Sequence, residues 1–550
     1  MERLDLILAI VEIVMAAALF FVAGYAAKAK SNKWRMLYFL PVLVCLLVTG
    51  YTGTDICMLG VYAGSVLILV GFAKDNERIR KIACVAAAIC VSVSIPVCYI
   101  APTYRAVDYV EDFETGFQSM KMHYVLSEHK GIDWDALYDE YLPMFRTANA
   151  ERDEVANCIA WMKFTAEFHD GHVGYSPADN DVSEAANDIL CGNDYGLSLV
   201  QLSDGRVVAV NVEPESALTE AGITDGTVIT AWDGMDILEA AEKSEGFGVL
   251  LSHADLDNEL FYKAMYAAGV GGDTVTVSYI AQDGSEKQIT LEKLGSYKLR
   301  LLDTMDILHR GVEAGNLCWA QVSEDTACLR IKSMMSTTKE EEDGAYDPMQ
   351  RTIREKIAEY EALGCDKLII DLRENGGGSG LMVKSIAELF APVGEHYYCT
   401  DALWDETKGC YATDENGNYI KGKDNYYTGE DIWGGKPIVL LVNAHSASAA
   451  DHLSDVLRGF DNVTVMGFTE PNGSAQGVNG EYLETGVLSF SSALLLDEDG
   501  GIFIDAGTDR ESGDDIDVRV PFDEEAVQAL FVNDEDYVLN YALDHMADME

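Results

Sequence analysis

Four apolar runs in the first 105 residues constrain this chain more than any other feature. A transmembrane helix needs about 20 apolar residues to cross the ~30 Å hydrocarbon layer, and in lipid only helices and closed barrels satisfy every backbone polar group. The runs lie at residues 4–27, 36–53, 57–73 and 82–101. We therefore predict four transmembrane helices in residues 1–105, with a cleavable signal peptide as the alternative for the first run.

Basic residues on alternate loops predict how these helices are oriented. The loops after the first and third runs are basic, whereas residues 52–55, between the second and third runs, include no Lys or Arg. The basic residues are Lys28, Lys30, Lys33 and Arg35 in one loop and Lys74, Arg78, Arg80 and Lys81 in the other. Because cytoplasmic loops are enriched in Lys and Arg, we expect a multi-pass protein of the cell membrane. The chain after Pro102 is then extracytoplasmic.

The remainder of the chain is strongly acidic. Residues 1–105 have a net charge of +4, whereas residues 106–550 have 29 basic and 86 acidic residues, a net charge of −57. Such a field repels phosphates, so nucleic-acid binding is excluded, and a well-solvated surface is the simpler explanation of the acidity. The seven cysteines after residue 105 lack the CxxC spacing of a zinc site. We expect no cofactor and no metal.

Two smaller domains are expected before the core. Residues 106–180 have apolar residues at helical spacing and end in the motif Asp170-Gly171-His172, which predicts a small helical domain. Residues 186–295 alternate as strands do and contain a Gly-Leu-Ser-Leu edge, a Pro-x-Ser-Ala turn and an Asp-Gly turn; in these features they resemble a PDZ domain. A PDZ-like edge strand binds a peptide as an extra strand. The predicted peptide-binding residues are Tyr195, Gly196, Leu197 and Ser198. A barrel that serves only for packing is the alternative.

A repeated pattern in residues 300–535 predicts an α/β core. A buried strand at residues 367–372 runs into a glycine-rich turn and a helix, and a second strand at residues 437–443 runs into a small-residue turn and a helix. In a parallel sheet both turns lie at the carboxyl ends of the strands, where ligands bind. The polar stretch at residues 397–435 between the two units is predicted to be a surface insertion.

The second turn contains two serines, Ser446 and Ser448. A hydroxyl at a helix N-terminus lies where amide dipoles stabilise negative charge on a carbonyl oxygen. Serine is also a common helix cap, so the turn alone does not distinguish a nucleophile from a cap.

The order of these parts resembles the carboxyl-terminal processing, or tail-specific, peptidase family. The matching features are a helical unit ending in Asp-Gly-His, a PDZ-like domain, Asp-Leu-Arg-x-Asn-x-Gly-Gly and Val-Asn-x-x-Ser-Ala-Ser-Ala, across most of residues 107–530. The resemblance implies a crotonase-like core in which Ser448 is the nucleophile. It also implies an oxyanion hole from the amide of Ala449 and one amide of the Gly377-Gly378 turn.

The general base distinguishes two branches of that family. One branch uses a downstream lysine, but no lysine follows Lys436 in this chain. The tricorn-like branch uses a histidine of the helical unit, which corresponds here to His172, and an imidazole is suited to accept the serine proton at neutral pH. His445, close to Ser448 in sequence, is the alternative base.

The partner of the histidine is predicted by resemblance alone. A late glutamate joins a relay through a hydroxyl in the tricorn-like branch, and Glu511 corresponds to it, although its segment can equally be a solvated acidic loop. Gly171 stands where that branch has serine, so the relay differs here. Asp371 and Arg373 are predicted to support the glycine turn rather than contact substrate.

The sequence therefore predicts a membrane-anchored serine endopeptidase. Its expected substrates are extracytoplasmic proteins or peptides, recognised through their carboxyl termini and cleaved through an acyl-enzyme on Ser448. Two alternatives remain open at this point. One is an inactive peptidase-like receptor that only binds peptides, and the other is a membrane scaffold whose helices are the working part.

Overall fold

The computed structural model describes residues 77–78, 81–82, 85–86, 107–244, 256–309, 317–336, 339, 346–405, 407, 410–504 and 516–547. The elements from Asp108 onward belong to one compact unit. The predicted transmembrane runs lie outside the described residues, except for a few positions of the fourth run. No helix within the described ranges is both long and apolar enough to cross a bilayer.

The first elements form a helical domain with an aromatic core. They are α1 (Tyr109–His123), α2 (Trp134–Glu151), α3 (Glu154–Ala166), β1 (Gly174–Pro177) and α4 (Asn180–Cys191). The first three helices each begin after an aspartate whose carboxylate accepts backbone amides of the first turn, Asp108, Asp133 and Asp153. Phe113 stacks on Phe145 with ring centroids 4.2 Å apart, and both rings are fully buried with Trp161. This packing fixes the segment that leads to His172.

The next elements form an antiparallel sheet with flanking helices. They are β2 (Asn193–Asp194), β3 (Ser198–Gln201), β4 (Val207–Val210), α5 (Ala217–Glu220), β5 (Val228–Trp232), β6 (Met235–Asp236), α6 (Ile237–Lys243), α7 (Leu256–Ala267), β7 (Thr274–Ile280), β8 (Glu286–Glu292), β9 (Gly295–Ser296) and α8 (Lys298–Leu308). The strand order is β3-β4-β5-β7-β8, with β6 beside β5. The edge strand β3 is buried, because α7 packs against it. The PDZ resemblance of this region stays a prediction.

The remaining elements contain the α/β core. They are β10 (Leu317–Gln321), β11 (Thr326–Ile331), α9 (Asp347–Ala362), β12 (Lys367–Asp371), α10 (Gly380–Phe390), β13 (Gly394–Ala402), β14 (Trp404–Asp405), β15 (Cys410–Tyr411), β16 (Lys421–Gly429), β17 (Ile438–Leu441), α11 (Ala449–Arg458), β18 (Val463–Gly467), β19 (Gly477–Tyr482), β20 (Gly486–Ala493), β21 (Leu495–Leu496), β22 (Val518–Arg519), α12 (Glu524–Val527), a π-helical turn (Gln528–Val532) and α13 (Tyr537–Ala547).

The core sheet has the order β10-β11-β12-β17-β18-β22. All neighbours from β11 onward are parallel, and β10 is antiparallel to β11. Residues of α9, α10 and α11 pack on one face of the sheet, and residues of α13 pack on the other. Because β12 and β17 are adjacent and parallel, the turns that follow them meet at one edge, as the sequence predicted.

The predicted surface insertion at residues 397–435 contains ordered strands. β13 pairs antiparallel with β16, and β21 joins the other side of β13. A second small sheet, β1-β20-β19, pairs the strand that follows His172 with a strand of the core. This pairing connects the helical domain to the core beside the nucleophile turn.

Candidate active site

Ser448 has a strained backbone in the turn between β17 and α11. It is half-buried, with a φ of 58° and a ψ of −114°. A residue with a Cβ adopts such a conformation at a cost of about 1–3 kcal/mol, and strain of this kind concentrates at functional sites. The side chain stands at the N-terminus of a ten-residue helix, where the helix dipole favours negative charge.

A buried carboxylate holds this turn in place. Asp451 accepts the amide of Ser448 at 2.8 Å and that of Gly473 at 3.1 Å, and the amide of Ser474 lies 3.4 Å from it. Its side chain has no solvent exposure. Asp451 therefore joins the nucleophile turn to the loop that contains residues 472–474, a role that the sequence did not reveal.

Ser446 has a different environment from Ser448. Its hydroxyl donates to the carbonyl of Leu372 at 2.9 Å and accepts the amide of Asn443 at 3.1 Å, and it is fully buried. These bonds connect the ends of β12 and β17. Ser446 is therefore engaged in holding the two turns together, whereas Ser448 remains the accessible hydroxyl of the pair.

The glycine turn after β12 lies against Ser448. A Cβ built on Gly377 would be 2.7 Å from the Cβ of Ser448 and 2.8 Å from the amide nitrogen of Ala449. The amide of Gly377 donates to the side chain of Asn375 at 2.9 Å, so this amide is already used. The amides of Gly378 and Ala449 have no acceptor within the part of the chain that the structure describes.

The backbone direction at Gly378 follows from its neighbours. Met334 donates to the carbonyl of Gly377 at 2.9 Å and accepts the amide of Ser379 at 2.7 Å. Because backbone groups of successive residues in an extended strand point to opposite sides, the amide of Gly378 faces away from Met334. Gly378 is therefore the member of the Gly377-Gly378 turn that can donate to a substrate oxygen.

A buried, ion-paired arginine, Arg373, follows β12 just before the glycine turn; that it supports this turn stays a prediction. Arg373 is buried and donates to both oxygens of Asp371, at 2.9 and 2.8 Å. It also donates to both oxygens of Asp536 at 2.8 Å. The two carboxylates compensate the positive charge of the buried guanidinium, because an unpaired charge in the protein interior lowers stability. Asp536 was not identified from the sequence.

His172 lies beside a serine and an aspartate. The Nδ1 of His172 is 3.5 Å from the Oγ of Ser491, and that hydroxyl donates to Asp170 at 2.9 Å. Asp170 also accepts the backbone amide of His172 at 2.8 Å. Burial lowers the pKa of His172 although Asp170 raises it. The imidazole is therefore neutral near pH 7.

Strand pairing explains how Ser491 reaches His172. In the antiparallel register of β1 and β20, Gly174 lies opposite Ser489. Continuing this register by two residues places His172 opposite Ser491. The hydroxyl therefore comes from the core, whereas the histidine comes from the helical domain.

Gly171 provides space for the loop after β18. Its amide donates to the Oγ of Ser474 at 2.9 Å. A Cβ at this position would lie 2.1 Å from the Oδ1 of Asn472. The side chain of Asn472 thus occupies part of the space that a serine at position 171 would need.

His172 and Ser448 are connected through this loop. They are not hydrogen-bonded to each other in the structure. Instead, Gly171 contacts Ser474, and Ser474 and Ser448 both donate their amides to Asp451. Catalytic hydrogen bonds are often long or unformed without substrate.

Two other histidines near the serine have different surroundings. His445 is half-buried, and its Nδ1 is 2.8 Å from both oxygens of Glu374. His452 is buried, and its ring stacks on Tyr398 with centroids 4.2 Å apart. His445, Glu374 and His309 form a group that could hold a metal ion, although the sequence predicted none.

The predicted peptide-binding residues are buried in the structure. The hydroxyl of Tyr195 donates to the carbonyl of Gly272 at 2.7 Å, and the amide of Gly196 donates to Asp194 at 2.8 Å. Leu197 and Ser198 have no solvent exposure, and Ser198 lies 2.5 Å from the hydroxyl of Tyr297. The amide of Gly196 is therefore already engaged within the chain. Glu511 lies outside the described residues.

Solved structures of other proteins are similar in fold to this chain. Mature CPAF shares 13% identity with a TM-score of 0.52, over 80% of this chain and 95% of that one. Mature CPAF complexed with lactacystin gives 13% identity and a TM-score of 0.50, over 80% and 97%. The tricorn protease gives 14% identity and a TM-score of 0.34, over 80% of this chain and 36% of that one. A search of curated protein sequences finds no match. The CPAF structures show a shared fold.

Two protein-family models match parts of the sequence. Residues 106–162 match the tricorn protease C1 domain, which is the helical domain that precedes His172. Residues 325–510 match peptidase family S41, and they include the glycine turn, Ser448 and Ser491. The family models thus match most of the α/β core to peptidase family S41 and the helical domain before it to the tricorn protease C1 domain.

Proposed function

We propose that this chain is a serine endopeptidase that cleaves proteins or peptides through an acyl-enzyme on Ser448. The observation that carries the proposal is the strained Ser448 at a helix N-terminus, next to the amides of Gly378 and Ala449, for which the described residues supply no acceptor. Such amides stabilise the oxyanion of a tetrahedral intermediate in place of water. The match of residues 325–510 to a peptidase family supports the same reaction.

In the proposed reaction His172 acts first as base and then as acid. Its Nε2 takes the proton of Ser448 while Oγ attacks the scissile carbonyl, and the carbonyl oxygen becomes an oxyanion held by Gly378 and Ala449. His172 then gives the proton to the leaving amine as the C–N bond breaks. Water, deprotonated by His172, then attacks the acyl carbonyl. As the C–O bond to Ser448 breaks, His172 returns the proton to Oγ, and the carboxylic acid product and free Ser448 result.

The environment of His172 supports one tautomer for this role. A hydroxyl has a single proton to donate, and that of Ser491 is given to Asp170 at 2.9 Å. Ser491 therefore accepts a hydrogen bond from Nδ1–H of His172, and Nε2 is left unprotonated. We propose Ser491 and Asp170 as positioning residues, in addition to or in place of the predicted Glu511.

In this proposal the site is completed when His172 approaches Ser448. The loop at residues 472–474 contacts both turns, through Gly171 on one side and Asp451 on the other. Substrate entry between the two turns would close this gap, because the attacking serine and its base must come within hydrogen-bond reach.

Substrate delivery and location also remain part of the proposal. The PDZ resemblance of residues 186–295 supports recognition of carboxyl termini. Because α7 packs against β3, the edge strand would have to be uncovered before a peptide can pair with it. The apolar runs and basic loops of residues 1–105 support an extracytoplasmic, membrane-anchored enzyme.

A covalent probe tests the proposed nucleophile. The purified full-length chain is treated with a fluorophosphonate, and labelling is compared for the wild type, Ser448→Ala and Ser446→Ala. We expect labelling to vanish only in Ser448→Ala, because Ser446 is buried and engaged. Labelling that survives Ser448→Ala would overturn the assignment. An unlabelled wild type that binds peptides without cleaving them would favour an inactive receptor.

A further inference from the structure

Three side chains from three separate segments meet beside the nucleophile turn. Glu374 belongs to the glycine turn, His445 to the nucleophile turn, and His309 follows α8. The Nδ1 of His309 is 2.9 Å from an oxygen of Glu374, and the Nδ1 of His445 is 2.8 Å from both oxygens. One donor atom from each residue lies within 4.8 Å of the others. None of the three has a role in the proposed acyl transfer.

The nitrogen of His309 is the most informative atom of the group. The residue is 6% exposed, and its Nδ1 has no hydrogen bond despite its closeness to Glu374. The carboxylate of Glu374, 2.9 Å away, is the charged group that this nitrogen faces. A bound cation at this position would give the nitrogen a partner in addition to the carboxylate.

Neighbouring groups hold the side chains in place. The Nε2 of His309 is 3.3 Å from the hydroxyl of Tyr262, and Asn443 donates to Glu374 at 3.0 Å. A hydrogen bond on the far nitrogen of a histidine fixes the ring and directs the other nitrogen to a ligand, as it does in metal sites. Glu374 itself has a φ of 62°, so its backbone is held in a left-handed conformation.

We infer that His309, Glu374 and His445 form a binding site for a divalent transition-metal ion, Zn²⁺ being the best match. Two imidazole nitrogens and one carboxylate are a common set of three protein ligands for this ion, with a further position open to water. Glu374 and His445 are partly exposed, with side-chain exposures of 33% and 23%, which provides the open side.

Binding requires a small opening of the cluster. Donor atoms around a tetrahedral Zn²⁺ are about 3.4 Å apart when each bond is ~2.1 Å. The observed separations of 2.8 and 2.9 Å must therefore widen by about half an ångström. The bound ion would then tie the glycine turn to the nucleophile turn, three residues before Ser448. The inference does not depend on the proposed peptidase activity.

Calorimetric titration with Zn²⁺ tests the site in the full-length Ser448→Ala chain, with excess Mg²⁺ to occupy the acidic surface. We expect one equivalent to bind, and a rise in Tm on Zn²⁺ addition. Glu374→Gln and His445→Gln, both partly exposed positions, should weaken binding by at least about 100-fold, and Tyr262→Phe by about 10- to 100-fold. The control His396→Gln removes another histidine and should bind as tightly as the parent.

Two results would overturn the inference. One is the absence of saturable Zn²⁺ binding, and the other is binding whose affinity is the same in the parent, Glu374→Gln and His445→Gln. Using Ser448→Ala throughout keeps the outcome separate from the peptidase proposal. Failed probe labelling would leave the metal site standing, and failed Zn²⁺ binding would leave the nucleophile standing.

Discussion

The carboxylate of Asp451, in the first turn of α11, accepts a hydrogen bond from the backbone amide of Ser448 at 2.8 Å. Ser448 lies three residues before Asp451, at the start of this helix. The same carboxylate accepts the amide of Gly473, so the strained turn and the loop beside His172 share one anchor. A charged acceptor in a site without solvent makes strong hydrogen bonds, because water does not compete for it. This anchor offsets the backbone strain at Ser448.

Replacing Asp451 by Asn should loosen the nucleophile turn. An amide group keeps the shape but turns one acceptor into a donor that faces backbone N–H groups. We expect a stability loss of about 1–3 kcal/mol, seen as a lower Tm, and slower fluorophosphonate labelling. The control is Asp455→Asn on the same helix, where burial raises the pKa of the carboxyl to about 6 and an amide should be tolerated. Equal Tm values for the two variants would contradict this role.

Labelling of Ser448 should be sensitive to a side chain at Gly377 and tolerant of one at Gly376. Gly377→Ala places a methyl group 2.7 Å from the Cβ of Ser448, at a φ of 90° that disfavours alanine. We expect labelling of Ser448 to fall at least tenfold. Gly376→Ala is the matched control, because a Cβ there meets nothing within 4 Å. Loss of labelling in both variants would mean that the turn is merely intolerant of any side chain.

The sequence predicted those structural features whose residues lie close together along the chain. The strand, turn and helix around Ser448 are continuous, and two such units in a parallel sheet place their turns at one edge. This reasoning predicted that Ser448, Ala449 and the glycine turn lie close together at one edge of the sheet. The sequence did not indicate which amide of the Gly377-Gly378 turn is available to a substrate oxygen. The observed hydrogen bond from the Gly377 amide to the Asn375 side chain leaves the amide of Gly378.

The partners of His172 were missed for a physical reason. Ser491 reaches the histidine through the pairing of β1 with β20, and no local pattern distinguishes this serine from others on the same strand. Asp451 follows Ser448 by three residues and resembles an ordinary helix-start acid in sequence. Its contact with Gly473 becomes visible only in the folded chain.

Ser491→Ala tests the proposed orientation of His172. Losing the hydroxyl leaves Nδ1 without its acceptor, so the correct tautomer is less populated. We expect kcat to fall by about 10- to 100-fold with little change in KM. Ser489→Ala, two residues away on the same strand, is the control and should keep wild-type kcat. A threonine at position 491 should restore activity, because it retains the hydroxyl.

The pH dependence of labelling reports on His172 directly. Its neutral form is the active base, and burial lowers its pKa below the ordinary value of about 6.5. Labelling should therefore persist as the pH falls past that value and then decline as the imidazole becomes protonated. An acid limb centred above pH ~6.5 would contradict this environment.

His452 should make the protein sensitive to acid. It is buried, its ring contacts Tyr398 and Phe503, and burial lowers its pKa to about 4. In the unfolded chain the pKa is about 6.5, so the unfolded state binds more protons and stability falls as the pH drops through this interval. The contribution is about 3 kcal/mol, present in full above pH ~6.5 and lost towards pH ~4. His452→Phe keeps the ring but cannot be protonated, so its Tm should vary less with pH over this range. His396→Gln is the control and should keep the wild-type slope, and equal slopes for His452→Phe and the wild type would show that other groups cause the acid sensitivity.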